Sequence, residues 1–205
     1  MNIAGVSAFL LRLVARLPRA GAVVWCQSPF ETREYGRLYA PGLAGMALGP
    51  ERLVAVSLSH PREMGFVLEA ALAMAPVAAV VGEGAPLEFT QTRRLSLISA
   101  RSGVPCIYLN TECEVEASAA RTRWRVNPVP AAGDPADERM PGAPAWGVAL
   151  TRARGGRPGF WELTWHDATH SFRALSRLGD RSPASARNHA ATHGDEAAGQ
   201  RRRTG

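Results

Sequence analysis

Arginine is the chemistry this chain carries in quantity. Its 24 basic residues stand against 18 acidic ones, and every basic residue is Arg; the chain has no Lys. The net charge of +6 permits a polyanionic partner. An Arg-for-Lys, Ala-rich bias is also what a GC-rich genome produces, so composition alone assigns no task. Six arginines gather in the C-terminal half: Arg121, Arg123, Arg125, Arg152, Arg154 and Arg157. They surround Trp124, Trp146, Trp161 and Trp165. Guanidinium forks pair with phosphates and indole rings stack on bases, which makes this set a candidate surface for DNA or a partner. The structural alternative is an ordinary sheet, with Trp on the core face and Arg123 and Arg125 together on the solvent face.

Other reactive residues are sparse. His60, His166, His170, His189 and His193 are too scattered for a metal site. Cys106 and Cys113 lack the further ligands that zinc requires. With Cys26 they make three cysteines without paired spacing, which argues against a disulfide framework and for a reducing cytoplasm. We therefore expect no metal and no cofactor. No apolar run reaches the ~20 residues of a membrane span. The run from Ile3 to Leu17 is broken by Arg12 and Arg16 and has no charged leader, unlike a signal peptide.

The elements that would position these residues follow from periodicity. Val6, Phe9, Leu10, Leu13, Val14 and Leu17 mark an amphipathic helix, stopped by Pro18 and Gly21. Short apolar runs at 22–26, 53–58, 77–81 and 104–109 read as strands. The run at 77–81 does not alternate, as expected when both faces of a parallel sheet are covered. Helices are predicted from Pro61, with Met64, Val67, Leu68, Ala71 and Leu72 inward, and near 92–101, with Leu95 and Ile98 inward. The stretch 31–49 is polar. Strand and helix alternate to about residue 110, which predicts an α/β domain with a mainly parallel sheet. Beyond it the segments 123–126, 146–151 and 160–165 alternate like antiparallel strands. Arg154-Gly155-Gly156-Arg157-Pro158-Gly159 reads as the turn of a hairpin. Residues 131–144 read as a loop.

Four βα units followed by an antiparallel ribbon resemble a RecA-type core, and an ordered set of short motifs sharpens this. Val23-Val24-Trp25, Tyr39-Ala40-Pro41-Gly42-Leu43, Leu48-Gly49-Pro50-Glu51-Arg52-Leu53 and Val80-Val81-Gly82-Glu83 resemble the ImuA family. So do Thr92-Arg93-Arg94-Leu95, Thr122-Arg123-Trp124-Arg125-Val126 and the ribbon from Trp146 through Arg152-Ala153-Arg154-Gly155-Gly156 to Phe160-Trp161. The resemblance covers roughly residues 5–173. It implies a RecA-like core, truncated at its N-terminus, plus the C-terminal β-ribbon. It also implies a non-catalytic accessory of SOS mutagenesis and translesion synthesis in the cytoplasm. The implied partners are an ImuB-like polymerase relative and an error-prone polymerase, with RecA and DNA as further candidates and no membrane. A weaker resemblance reaches SulA-type cell-division inhibitors, which would imply binding to FtsZ.

A RecA-like ATPase needs a strand, a Gly-rich loop ending in Lys-Ser/Thr, and then a helix; the loop's N–H groups cradle phosphate and the Lys reaches its terminal groups. Here the predicted helix at 3–17 takes the place of the post-loop helix, and neither loop nor Lys is present. Either the strand and loop are lost, or Met1 is a miscalled start and the chain is a DNA-dependent ATPase completed upstream. The resemblance assigns vestigial roles to three residues. Glu83 follows the strand where a metal-positioning Asp would stand. Glu31 stands near a water-activating carboxylate, with a solvated loop acid as the bland alternative. Asn110 stands where an amide would sense nucleotide, or simply turns the chain. The loop 111–120 carries Glu112, Glu114 and Glu116, which opposes a phosphate grip there and favours a protein partner.

The domain is expected to span 1–178, and 179–205 to be a disordered tail rich in Ser, Ala, His, Gly and Arg. Almost no large apolar side chain follows Leu178 to offset an ordering cost of ~1–2 kcal/mol per residue. A chain ending at Leu178 should melt within about 2 °C of the parent. A larger loss in a thermal scan would mean that the tail packs.

Overall fold

The computed structural model describes residues 2–39, 42–43, 45–46, 48–112, 117–131 and 142–176. The expected tail lies outside these residues, as do Cys113, Glu114, Glu116 and most of the 131–144 loop. The chain divides into two compact units: Met1–Arg121 with His166–Ser171, and Thr122–Trp165 with Phe172–Gly205.

The first unit is α/β, as the alternating pattern predicts. Helix α1 (Ile3–Ala15) opens on Asn2, whose side chain accepts from the Gly5 N–H at 3.0 Å. Strand β1 (Ala22–Gln27) follows, then α2 (Pro29–Tyr35), β2 (Leu53–Ser57), α3 (Met64–Ala73), β3 (Val77–Gly84), α4 (Phe89–Ser102) and β4 (Cys106–Asn110). The four strands are parallel, in the order β2-β1-β3-β4. β1 and β3 fill the centre and are buried almost throughout, which their unbroken apolar runs require. β2 is an edge, and its Val54 is 47% exposed. Before α3 a 3-10 turn at Pro61–Glu63 is closed by the Glu63 carboxylate, which accepts from the N–H groups of Ser59 and His60.

Helix α2 lies in a stretch that reads only as polar. Its N-terminal grammar is nonetheless present: Ser28 precedes it, Pro29 stands in its first turn and Glu31 follows three residues after Ser28. On one face of the sheet Val24, Cys26 and Val80 pack with Leu68, Leu72, Leu95 and Val104. Each such side chain contributes roughly 1.5–3 kcal/mol by leaving water. Burial pushes the Cys26 thiol up to about 11 and the Cys106 thiol up to about 12. Both are free thiols packed as small hydrophobes.

The second unit is an antiparallel sheet: β5 (Thr122–Val129), β6 (Ala145–Ala153), β7 (Gly159–His166) and β8 (Ser171–Ser176), in that order. Three of these strands match the alternating segments; β8 has no counterpart among the expected strands. Trp146 and Trp165 are buried and meet Phe172 edge-on, with centroids 6.0 and 5.0 Å apart. The reading that places every Trp in the core fails for Trp124, which is 49% exposed. Among the described residues no helix is long and apolar enough to cross a membrane.

Gly82 has a packing reason. It is in register with Tyr108 on β4, whose ring crosses over it, and a Cβ at Gly82 would stand 2.8 Å from Tyr108 Cδ2 and 2.9 Å from Leu68 Cδ1. The Tyr108 hydroxyl then donates to the Ala85 carbonyl at 2.6 Å. Gly82→Ala should therefore cost about 1–3 kcal/mol in urea unfolding. An unchanged midpoint would show that the ring moves aside freely.

Candidate functional site at the carboxyl ends of the parallel strands

Parallel strands bring their carboxyl ends to one rim, which is where open α/β sheets bind ligands. β1 delivers Trp25, Gln27 and Ser28 there, β3 delivers Glu83, and β4 delivers Asn110 and Thr111. Gln27 and Glu83 are in register. Alternation puts Trp25, Gln27 and Glu83 on the face opposite the Cys26 and Val80 core.

Glu83 is 1% exposed. Trp25 Nε1–H donates to its Oε2 at 3.0 Å and Gln27 Nε2 donates to the same oxygen at 3.2 Å. The Ser7 hydroxyl of α1 donates to Oε1 at 3.4 Å. Burial raises the proton affinity of this carboxyl; the Trp25 and Gln27 donors oppose the rise, and the nearby charge of Glu31 adds to it. Glu31, in the first turn of α2, is 2% exposed rather than solvated. It accepts from the Ser28 hydroxyl and, at 2.7 Å, from the Thr111 hydroxyl. Backbone bonds tie the rim together: Ser28 N–H to the Glu83 carbonyl and Thr111 N–H to the Gly84 carbonyl, each 3.1 Å.

Two of the three vestigial candidates, Glu31 and Glu83, thus meet in one buried cluster. The third, Asn110, lies on the same rim, but its side-chain oxygen accepts from the Glu112 N–H at 3.0 Å in a local turn. The partners Ser7, Trp25, Gln27, Ser28 and Thr111 were not singled out from sequence. The Ser-x-x-Glu spacing of Ser28 and Glu31 and the period-two pairing of Trp25 with Gln27 carried that signal. Paired carboxylates are the raw material of acid/base or metal chemistry, yet both of these are occupied by the protein's own donors. Among the described residues no group of three or more His, Cys, Asp or Glu side chains is placed to hold a metal. An open depression lined by Leu17, Arg19, Gly21, Glu51 and Arg52 lies at the opposite, amino end of β1.

The arginine set lies elsewhere. Arg121 is the residue before β5, Arg123 is in register with Arg152, Arg125 is exposed on β5, and Arg154 and Arg157 are exposed in the β6–β7 turn.

An acid whose proton affinity rises on folding makes the folded chain bind more protons than the unfolded one. Its stability term is then largest in acid and is lost as pH rises from the ordinary carboxylate value through the folded value. Glu83→Gln keeps an acceptor for Trp25 and Gln27 and removes this loss. The variant should equal or exceed the parent in urea midpoint at neutral pH and show a flatter stability profile as pH rises above the ordinary carboxylate range. A midpoint well below the parent's would mean that the ionised form is what the fold needs.

No family model matches the chain. Two curated relatives do, each named Protein ImuA: one in Caulobacter vibrioides strain NA1000 / CB15N and one in strain ATCC 19089 / CIP 103742 / CB 15. Each is 35% identical over 198 residues, covering 89% of this chain and 78% of the relative. An α/β unit with a parallel sheet, followed by an antiparallel sheet, and this identity across most of both sequences establish that the chain belongs to the ImuA family.

Proposed function

We propose that this chain is a non-catalytic, cytoplasmic accessory of SOS-induced mutagenesis, acting by contacts with an ImuB-like polymerase relative and an error-prone polymerase. The observation that carries the non-catalytic part is the sequestration of Glu83 and Glu31. A carboxylate that positions a metal or a water must present a lone pair to the ligand. Here Trp25, Gln27 and Ser7 turn Glu83 inward, and Ser28 and Thr111 hold Glu31. The absence of Lys removes the usual phosphate-reaching cation as well.

The surface supports protein contacts. Phe66 of α3 is 77% exposed, and Phe89 and Leu97 of α4 are 50% and 57% exposed. The two helices run together, linked by Arg94 and Glu69 at 3.0 Å. Large apolar side chains displayed on adjacent helices are the usual core of a protein interface.

Complementation of a deletion strain tests the reading. The parent chain should restore damage-induced mutation frequency, and the purified protein should not turn over ATP. Phe66→Glu with Leu97→Glu should fold normally and drop mutagenesis at least about tenfold, since interface anchors typically contribute 2 kcal/mol or more. Filamentation on overexpression without any mutagenesis defect in the deletion strain would point to cell-division inhibition instead. ATP turnover lost in Glu83→Gln would refute the non-catalytic role.

A further inference from the structure

We infer that the turn end of the antiparallel sheet binds single-stranded nucleic acid, with indoles of β5 and β7 stacking on bases and arginines of the β6–β7 turn pairing with phosphates. This inference stands independently of the accessory role above.

Register brings the groups together. Trp124 is paired with Leu150, Leu150 with Gly159, and Val148 with Trp161. Trp124, Leu150, Gly159 and Trp161 therefore share one face at one end of the sheet. The two indoles lie side by side, centroids 6.0 Å apart and planes tilted by 42°. Trp161 leans over Gly159, where a Cβ would stand 2.7 Å from its Cη2. Its ring is thus directed toward the turn that displays Arg154 and Arg157. Trp124, nearly half exposed, offers a ring surface that no residue of the sheet covers fully.

Charge selects the ligand. Arg154 and Arg157 are exposed in the turn, and Arg123 and Arg152 sit in register at the same end; Arg125, next to Trp124 on β5, faces the other way. Among the described residues of this unit the one acid is Glu162, and alternation points it to the face opposite Trp161. A protein partner of mixed charge would use the indoles but not the two exposed arginines of the turn. A phosphate backbone matches both. Two adjacent rings require bases with free faces, which a single strand offers and a duplex conceals.

The test uses the full chain, a fluorescein-labelled oligo(dT) of about 25 nucleotides, and a duplex of the same length, read by anisotropy and by indole quenching. The single strand should bind more tightly, with quenching and with an affinity that falls as salt rises. Arg154→Ala with Arg157→Ala should weaken binding about tenfold and make the salt slope shallower by about 1.4, roughly 0.7 per lost phosphate contact. Trp124→Ala should weaken binding about tenfold at unchanged salt slope, and Trp124→Phe should retain most of the affinity. Arg33→Ala with Arg37→Ala, an equal charge loss in the other unit, should stay within about twofold. So should Arg201→Ala with Arg202→Ala and Arg203→Ala. The inference is overturned if the parent binds no oligonucleotide, or if either control costs as much as the turn variant. It is equally overturned if the turn and Trp124 variants bind oligo(dT) like the parent but lose capture of a purified ImuB-like protein, which would make this face a protein interface.

Discussion

A carboxyl group with almost no access to water, that of Glu83, sits near the end of β3, and the first unit is arranged to hold it. Leaving such a group without partners would cost several kcal/mol. Trp25 and Gln27 supply donors from the neighbouring strand and Ser7 from α1. The two strand donors are within reach because β1 and β3 run parallel and pair Gln27 with Glu83. The same register sets Ser28 against the Glu83 carbonyl, which starts α2 where Glu31 can turn inward toward Thr111. One buried acid thus links strand pairing, a helix start and the first residue after β4.

The legible part of the fold is the part governed by burial. Strands β1 and β3 and helices α1, α3 and α4 show in their apolar periodicity because water exclusion dictates their inward positions. What remained hidden is held by polar contacts between residues distant in sequence. Glu31 reads as a loop acid, since nothing local reveals Thr111, eighty positions away. Glu83 reads as a substitution, since its donors come from another strand. Trp124 reads as core because an indole in an alternating strand usually is; its exposure depends on what the rest of the sheet leaves open. β8 mixes polar and apolar residues and takes its place at the edge of the sheet beside β7.

Family membership and site geometry bear on different questions. Identity across most of the chain sets the relatives. The hydrogen bonds around Glu31 and Glu83 make the rim of this chain an internal brace, in the place where open α/β sheets usually receive a ligand. The exposed chemistry lies elsewhere, in apolar side chains on α3 and α4 and in the arginines and indoles of the second sheet.

Gly82 and Tyr108 form a tightly fitted pair beside this rim. The ring fills the space that the missing Cβ leaves, and its hydroxyl closes on the Ala85 carbonyl. Neither position can drift alone, because a larger residue at the first collides with the ring, and a smaller one at the second opens a void beside Leu68. The two sites form one unit of variation. Where a homologous lineage fills the glycine, its strand partner is expected to shrink in step, so the pair should covary more tightly than either does with its neighbours in sequence.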